Sequence, residues 1–299
     1  MRSTSLFVVI INWNRKDLTL ACLKSLQPVV KRRKDVSVIV VDNNSSDNSV
    51  TFLKRLKLEF VLIENKKNLG WAGGNNVGIR YALRRGASAI FILANDAVVT
   101  EDALDILEKR LNMDKKIGIV GPKIYFAGKK NVLANAGGFI MKHRYFGYDR
   151  GMHQVDNGQY DSPIAVDFIT GAAMLIKREL FEKVGLFDEE LFIYYEDGDL
   201  CFRARKNGYI CFFEPKANVY HVGGATTKFG SALHVYYTTR NHLRFIEKHA
   251  PFSVKVREFL RTPKTIYELL KSKNRIVKKY TLLGIRDYYL RKFGQQTYW

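Results

Sequence analysis

The chain has 299 residues, 46% hydrophobic and 26% charged, the balance of an ordinary folded protein, which excludes wholesale disorder and collagen-like repeats. Its longest apolar runs, such as Leu6–Ile11 and Ala89–Ala94, fall far short of the ~20 residues that a helix needs to cross a bilayer. Forty-nine Lys and Arg against 29 Asp and Glu give a net charge of +20, a surface that attracts nucleic acid, anionic lipid or phosphate-bearing substrates.

Along the chain, Leu6–Ile11 is a continuous β-branched and aliphatic run, the pattern of a strand buried on both faces. Leu18, Cys22, Leu23 and Leu26 then recur at helical spacing. Val36–Val41 is a second buried strand, Ser46 to Leu58 a helix, Phe60–Ile63 a third strand, Ala72 to Arg85 a helix, and Ala89–Leu93 a fourth strand. Thr100, Asp102 and Ala103 open a further helix. Residues 112–165 have weak periodicity and read as short strands and loops. Beyond them, Phe168–Lys177 is a strand broken by Gly171, Glu179–Val184 a short helix, Cys201–Lys206 a helix, and Tyr209–Phe213 and Val219–His221 two strands. Repeated β-α-β units predict a mostly parallel sheet with helices on both faces. Residues 251–299 carry 12 basic and 3 acidic residues, a net of +9, with Ile266, Leu269, Leu270, Ile276, Val277, Tyr280 and Leu283 at helical spacing. A basic amphipathic helix of this kind suits an anionic membrane surface; the alternative is a helix packed on the catalytic domain with a solvated basic face. The expected division is therefore 1–250 and 251–299.

Ligands on such sheets bind beyond the carboxyl ends of the strands. Those positions hold Asn12, Trp13 and Asn14; Asp42, Asn43 and Asn44; Asn65 and Asn68; and Asn95 with Asp96. Asn and Asp are also good turn residues, but four such clusters in register point to a polar ligand site. Asp42 suits a base N–H or a ribose hydroxyl. Gly70, Gly73, Gly74 and Gly78 match neither a Walker loop nor a dinucleotide fingerprint. Gly74 and Gly78 suit helix–sheet packing, whereas Asn68, Gly70 and Asn75 suit close approach to a ligand. Glu196, Asp197 and Asp199 are three carboxylates in four residues; Asp199 fits a helix-capping role and Asp197 a general base. His221 with Asp96 makes a pair for a divalent ion whose other ligands are phosphate oxygens. Arg240 is able to pair with a phosphate or to sit solvated on a basic surface. Cys22, Cys201 and Cys211 have no metal-ligand spacing and cannot all pair, which points to a reducing cytosol. No nucleic-acid-binding motif occurs, so nucleic acid is not an expected partner.

Taken together, Ile10-Ile11-Asn12-Trp13-Asn14, Val40-Val41-Asp42-Asn43-Asn44-Ser45-Ser46-Asp47, Asn68-Leu69-Gly70-Trp71-Ala72-Gly73-Gly74-Asn75, Leu93-Ala94-Asn95-Asp96, Thr170-Gly171-Ala172, Tyr195-Glu196-Asp197-Gly198-Asp199-Leu200, His221 and Arg240-Asn241 resemble the inverting family 2 glycosyltransferases, especially the rhamnosyltransferase-like branch. The resemblance covers about residues 6 to 245. It implies a GT-A fold, an α/β protein with a Rossmann-like central sheet and here a helical basic extension. It also implies transfer of a hexose, rhamnose first, from a dTDP- or UDP-linked donor to a glycan or lipid-linked hydroxyl. On that basis Asn12, Asn14, Asp42 and Asn75 would line the nucleotide pocket, with Asn68, Gly70, Glu196, Thr170 and Gly171 in the donor site. Asp96 and His221 would hold Mg²⁺ or Mn²⁺, Arg240 would meet the departing diphosphate, and Asp197 would be the base. The chain departs from the family's D-x-D-like motif at Ala94, which removes a polar contact near the ribose or metal. A nucleotide-sugar-binding protein with little turnover is the alternative. The expected place is the cytoplasm or the cytoplasmic face of the membrane.

Overall fold

The computed structural model describes residues 6–223 and 228–298. The first part alternates strands and helices: β1 (Leu6–Asn12), α1 (Lys16–Arg32), β2 (Val36–Asp42), α2 (Ser49–Lys54), β3 (Val61–Glu64), α3 (Gly70–Arg84) and β4 (Ala89–Ala94). Then follow β5 (Ala97–Val99), α4 (Ala103–Met113), β6 (Ile117–Phe126), β7 (Leu133–Asn135), β8 (Gly138–Met141), β9 (Phe146–Asp149), β10 (Ile164–Val166), β11 (Ala173–Lys177) and α5 (Arg178–Val184). A 3-10 turn at Glu189–Leu191 leads into α6 (Glu196–Lys206), β12 (Ile210–His221), α7 (Ala232–His249), α8 (Phe252–Lys271) and α9 (Arg275–Tyr289).

Ten strands form one sheet, with the order β10-β12-β6-β11-β4-β1-β2-β3 and with β5 on β12 and β7 on β6. β4, β1, β2 and β3 run parallel, β11 enters antiparallel between β4 and β6, and β6 and β12 are parallel again. Period-two alternation divides the core. Leu6, Val8 and Ile10 face α1 and α4 through Leu23, Leu26, Leu104 and Leu107, whereas Phe7 and Val9 face Ile79 of α3 and the α5–α6 layer. A strand covered on both faces needs apolar residues at every position, and all seven residues of β1 are buried. The parallel order brings the ends of β1, β2 and β4 to one edge.

Several elements differ from the sequence expectation. The helix expected over 46–58 is only α2, because Asn48 takes a left-handed φ of 61° just before it. Residues 117–126, inside the segment expected to hold short strands and loops, form a ten-residue interior strand. The Gly121 position is small because a Cβ there would sit 2.4 Å from Ile169 Cγ2. The two strands expected in 209–221 are one strand, β12, with an irregularity between Glu214 and Asn218. α6 starts at Glu196, so the acidic cluster lies in a helical first turn.

The basic C-terminal segment is two helices. α9 packs along α7, where Tyr280 and Leu283 join Tyr236 and Tyr237. Gly284 permits this approach: a Cβ there would lie 2.9 Å from the Tyr236 carbonyl oxygen. Of the apolar residues noted at helical spacing, Tyr280 is buried and Leu283 packs inward, while Leu270 and Ile276 are exposed. The exposed apolar face belongs to α8: Phe252, Val256, Phe259, Leu260, Tyr267 and Leu270, with Phe252 80% and Leu260 69% exposed. Among the described residues, no helix is long and apolar enough to cross a membrane.

Candidate active site

A cavity of about 1030 Å³ lies over the carboxyl ends of β1, β2 and β4. Trp13, Asn43, Asn68, Gly70 and Trp71 line one side, Asp96 and His221 another, and Thr170, Gly171, Glu196, Asp197 and Asp149 a third. Gln295, Gln296 and Thr297, from the segment after α9, complete the lining, with Gln296 N donating to the Tyr237 hydroxyl.

Of the four residues expected to line a nucleotide pocket, Asn12, Asp42 and Asn75 are buried beneath it. Asn12 Nδ2 donates to Asp42 Oδ2 at 2.7 Å, and its Oδ1 accepts from the Thr19 hydroxyl at 2.7 Å. Asp42 Oδ1 accepts from Ser45 N, and Oδ2 from the Ser45 hydroxyl. A strand-end Asp finds donors in its own following loop, so this carboxylate is spent on organising residues 42–46. Asn14, at φ 54°, accepts from Ser46 N through its side chain and ties the first loop to the second. Asn75 Nδ2 donates back to Trp71 O, and its Oδ1 has no partner. The cavity meets Asn43 instead. That side chain donates to Asn68 Oδ1 and Gly70 O and accepts from Asn65 Nδ2 and Leu69 N, which joins the β2 and β3 loops to α3.

Arg240 does not line the cavity. It is 0% exposed, and its guanidinium donates to Gly294 O at 2.8 Å, to Glu190 O and Leu191 O at 3.1 Å each, and to Asn241 Oδ1 at 3.0 Å. Asn241 Nδ2 donates to Leu191, Ile193 and Tyr194 carbonyls at 2.8–2.9 Å. The reason lies in the backbone they grip. Phe192, Tyr194 and Tyr195 have φ of 65°, 69° and 74°, conformations that cost non-glycine residues on the order of 1–3 kcal/mol each. The Arg-Asn pair holds this strained approach to Glu196 and Asp197, and with it the C-terminal segment.

Asp197 Oδ2 accepts from Gly171 N at 2.8 Å and Oδ1 from Gly198 N at 2.7 Å. Burial raises its carboxyl above the ordinary range, and the backbone N–H donors oppose that rise. Glu196 lies well above the range, through burial first and then the charges of Asp197 and Asp199. Burial would also raise Asp199, but the His249 hydrogen bond and the charges of Arg203 and Lys248 hold it below the usual value. Asp149, which sequence reasoning missed because it lies in the weakly patterned middle segment, is a fourth carboxylate in the group. Burial pushes it up to about 6, against the hydrogen bond from Asn135 Nδ2 and with the charge of Asp197. The Gln295–Thr297 wall was equally invisible, since only folding brings it to the cavity.

Asp96 Oδ1 and His221 Nε2 lie 2.9 Å apart. The register that pairs His221 with Ala97, and the Val222 N–H on Asp96 O, set this distance. A carboxylate oxygen and an imidazole nitrogen converging on the cavity fit a divalent cation. No group of three or more His, Cys, Asp or Glu positioned to hold an ion occurs among the described residues, so further ligands would be substrate or water oxygens. The described lining also contains no Lys or Arg, although the protein carries +20.

Residues 7–185 match the family model described as Glycosyl transferase family 2. The dTDP-rhamnosyl transferase RfbF of Shigella flexneri is 27% identical over 268 residues, covering 86% of this chain and 85% of that protein. Among solved structures, GalNAc-T7 with UDP, GalNAc and Mn²⁺ superposes with a TM-score of 0.64 at 16% identity, over 97% of this chain; the chain spans 57% of that one. The mannosyltransferase PcManGT of Pyrobaculum calidifontis, in complex with GDP-Man and Mn²⁺, gives 0.59 at 16% identity, over 96% of this chain and 87% of that one. The sheet order with its helical layers is thus that of the GT-A glycosyltransferases. A family model that accounts for more than half of its residues makes this chain a member of glycosyltransferase family 2, and an enzyme that transfers sugars.

Proposed function

We propose that the enzyme is an inverting transferase. It would move a hexose, rhamnose first, from a dTDP- or UDP-linked donor to a hydroxyl of a glycan or lipid-linked acceptor. The observation that carries this is the charge of one cavity: fixed carboxylates on one wall, the Asp96–His221 pair on another, and no Lys or Arg among the described lining residues. A nucleoside diphosphate cannot enter such a site uncompensated. Asp96 and His221 would hold Mg²⁺ or Mn²⁺, whose contribution is to screen the negative charge of the departing diphosphate. Mn²⁺ in the GalNAc-T7 and PcManGT structures supports this reading. Trp13, Asn43, Asn68 and Gly70 would border the nucleoside, and Thr170 and Gly171 the sugar. Asp197, held by two backbone N–H groups, would take the acceptor hydroxyl proton as that oxygen bonds to the anomeric carbon. The bond from that carbon to the phosphate oxygen breaks in the same displacement, and the configuration inverts.

Residues 1–250 would supply this chemistry. Residues 251–299 would add the α8 face, where exposed aromatic and aliphatic side chains are flanked by Arg257, Lys264 and Lys271; this suits an anionic membrane surface on the cytoplasmic side. Asp197→Asn tests the central claim. Transfer is expected to fall by about 10²–10⁴, while Mn²⁺-dependent binding of dTDP or UDP persists. Transfer at the wild-type rate would remove Asp197 from the reaction.

A further inference from the structure

We propose that Glu196 meets the substrate as a hydrogen-bond donor, its carboxylic acid proton on Oε2 directed to a pyranose hydroxyl in the cavity. The inference rests on the transferase reading for the identity of that hydroxyl, whereas the state of the side chain is argued from its burial, its unpartnered oxygen and its charged neighbours. Glu196 is 5% exposed, lines the cavity, and its Oε2 is buried with no hydrogen-bond partner. A buried polar oxygen without a partner is costly, and a substrate group that arrives to satisfy it removes that cost.

The surroundings decide which protonation state this oxygen has. On its own helix, Asp197 and Asp199 are close enough to raise it. Asp197 is the carboxylate held by Gly171 N and Gly198 N. Asp199 is the carboxylate ringed by Arg203, Lys248 and His249, so the three basic groups on this side are already committed. Asp149 belongs to the same group through its interaction with Asp197, and the cavity lining also holds His234, whose imidazole burial holds below its ordinary value. No Lys or Arg among the described lining residues therefore faces Glu196. An ionised Glu196 would be a buried, unpaired charge among like charges, which proteins avoid by keeping the proton.

A carboxylic acid has one O–H to give and a carbonyl lone pair to receive. This complements a sugar hydroxyl, which also both accepts and donates. Adjacent residues thus take opposite parts: Asp197 is furnished with N–H donors that favour its anion, and Glu196 is furnished with none at Oε2. Glu196 is a positioning residue for the sugar, and Asp197 alone exchanges a proton with the reacting oxygen.

The test compares Glu196→Gln, whose amide is a donor of the same shape, with Glu196→Ala. The first readout needs no substrate. At pH 7 the wild-type infrared spectrum should contain the carbonyl band of a protonated carboxyl that the Gln variant lacks; absence of that difference overturns the proposal. The second readout is turnover of dTDP-rhamnose and UDP-glucose with Mn²⁺. The Gln variant should keep donor KM close to wild type while the Ala variant raises it by about tenfold. The wild type should lose activity on an alkaline limb, as Glu196 ionises, and the Gln variant should lack that limb. A Gln variant as impaired as the Ala variant would show that the anion is required and overturn the proposal. If the infrared band is present and neither nucleotide sugar is turned over, the proposed donor assignment fails and the protonated Glu196 stands.

Discussion

Replacing Arg240 by methionine separates a structural clamp from a phosphate ligand. Methionine fills much of the space but donates no hydrogen bond, so Gly294 O, Glu190 O, Leu191 O and Asn241 Oδ1 each lose a charged donor. Glu190 O keeps the Gly294 N–H and Leu191 O keeps Asn241 Nδ2, which softens the loss at two of the four. Hydrogen bonds to charged groups contribute about 1.5–3 kcal/mol each, and breaking a buried charged network typically costs about 3–5 kcal/mol. At roughly 2–4 °C per kcal/mol for chains of this size, the expected fall in Tm is on the order of 10 °C. The C-terminal segment should loosen with it, because Gly294 is anchored on both Glu190 and Arg240. Scanning calorimetry measures the first effect, and limited proteolysis near residue 291 the second. A variant with unchanged Tm and protease resistance, but a raised KM for the nucleotide sugar, would refute the clamp and restore Arg240 to the diphosphate.

Three other perturbations follow from the site. Asp197→Asn removes a negative neighbour of Asp149; the Asp149 carboxyl, pushed up to about 6 by burial and by that charge, should then ionise at lower pH, which an infrared titration of its carbonyl band measures. A band that titrates at the wild-type pH would uncouple the two groups. His221→Ala should abolish the Mn²⁺-dependent thermal stabilisation by dTDP or UDP, which for wild type is about 2.7 kcal/mol at a hundredfold excess over Kd; a metal-dependent rise that survives would place the ion elsewhere. Phe259→Ser with Leu260→Ser should at least halve the fraction that sediments with vesicles containing anionic lipid, and leave Tm nearly unchanged, because both side chains are already exposed. Equal sedimentation of variant and wild type would dismiss α8 as the membrane face.

Periodicity and composition alone determined the α/β class, β1, β2, β4 and α3, and the cluster of polar residues at the strand ends. Those features are local: a strand covered on both faces must be apolar throughout, and a strand end must turn. The family resemblance and the Asp96–His221 pair were likewise legible as motifs. What the tertiary structure decided is which way each polar side chain faces. Asp42 and Asn12 satisfy each other beneath the cavity while Asn43 reaches it, a choice made by hydrogen-bond partners 30 and 25 residues apart. β6 did not stand out within 112–165 because its glycines answer to Ile169 and Leu180, neighbours that no local pattern reveals. Arg240 looked like a phosphate ligand because its partners are carbonyls of residues about 50 positions away on either side. Asp149 and Gln295–Thr297 joined the site in the same way, since long-range packing selects among side chains that have equal local chemistry.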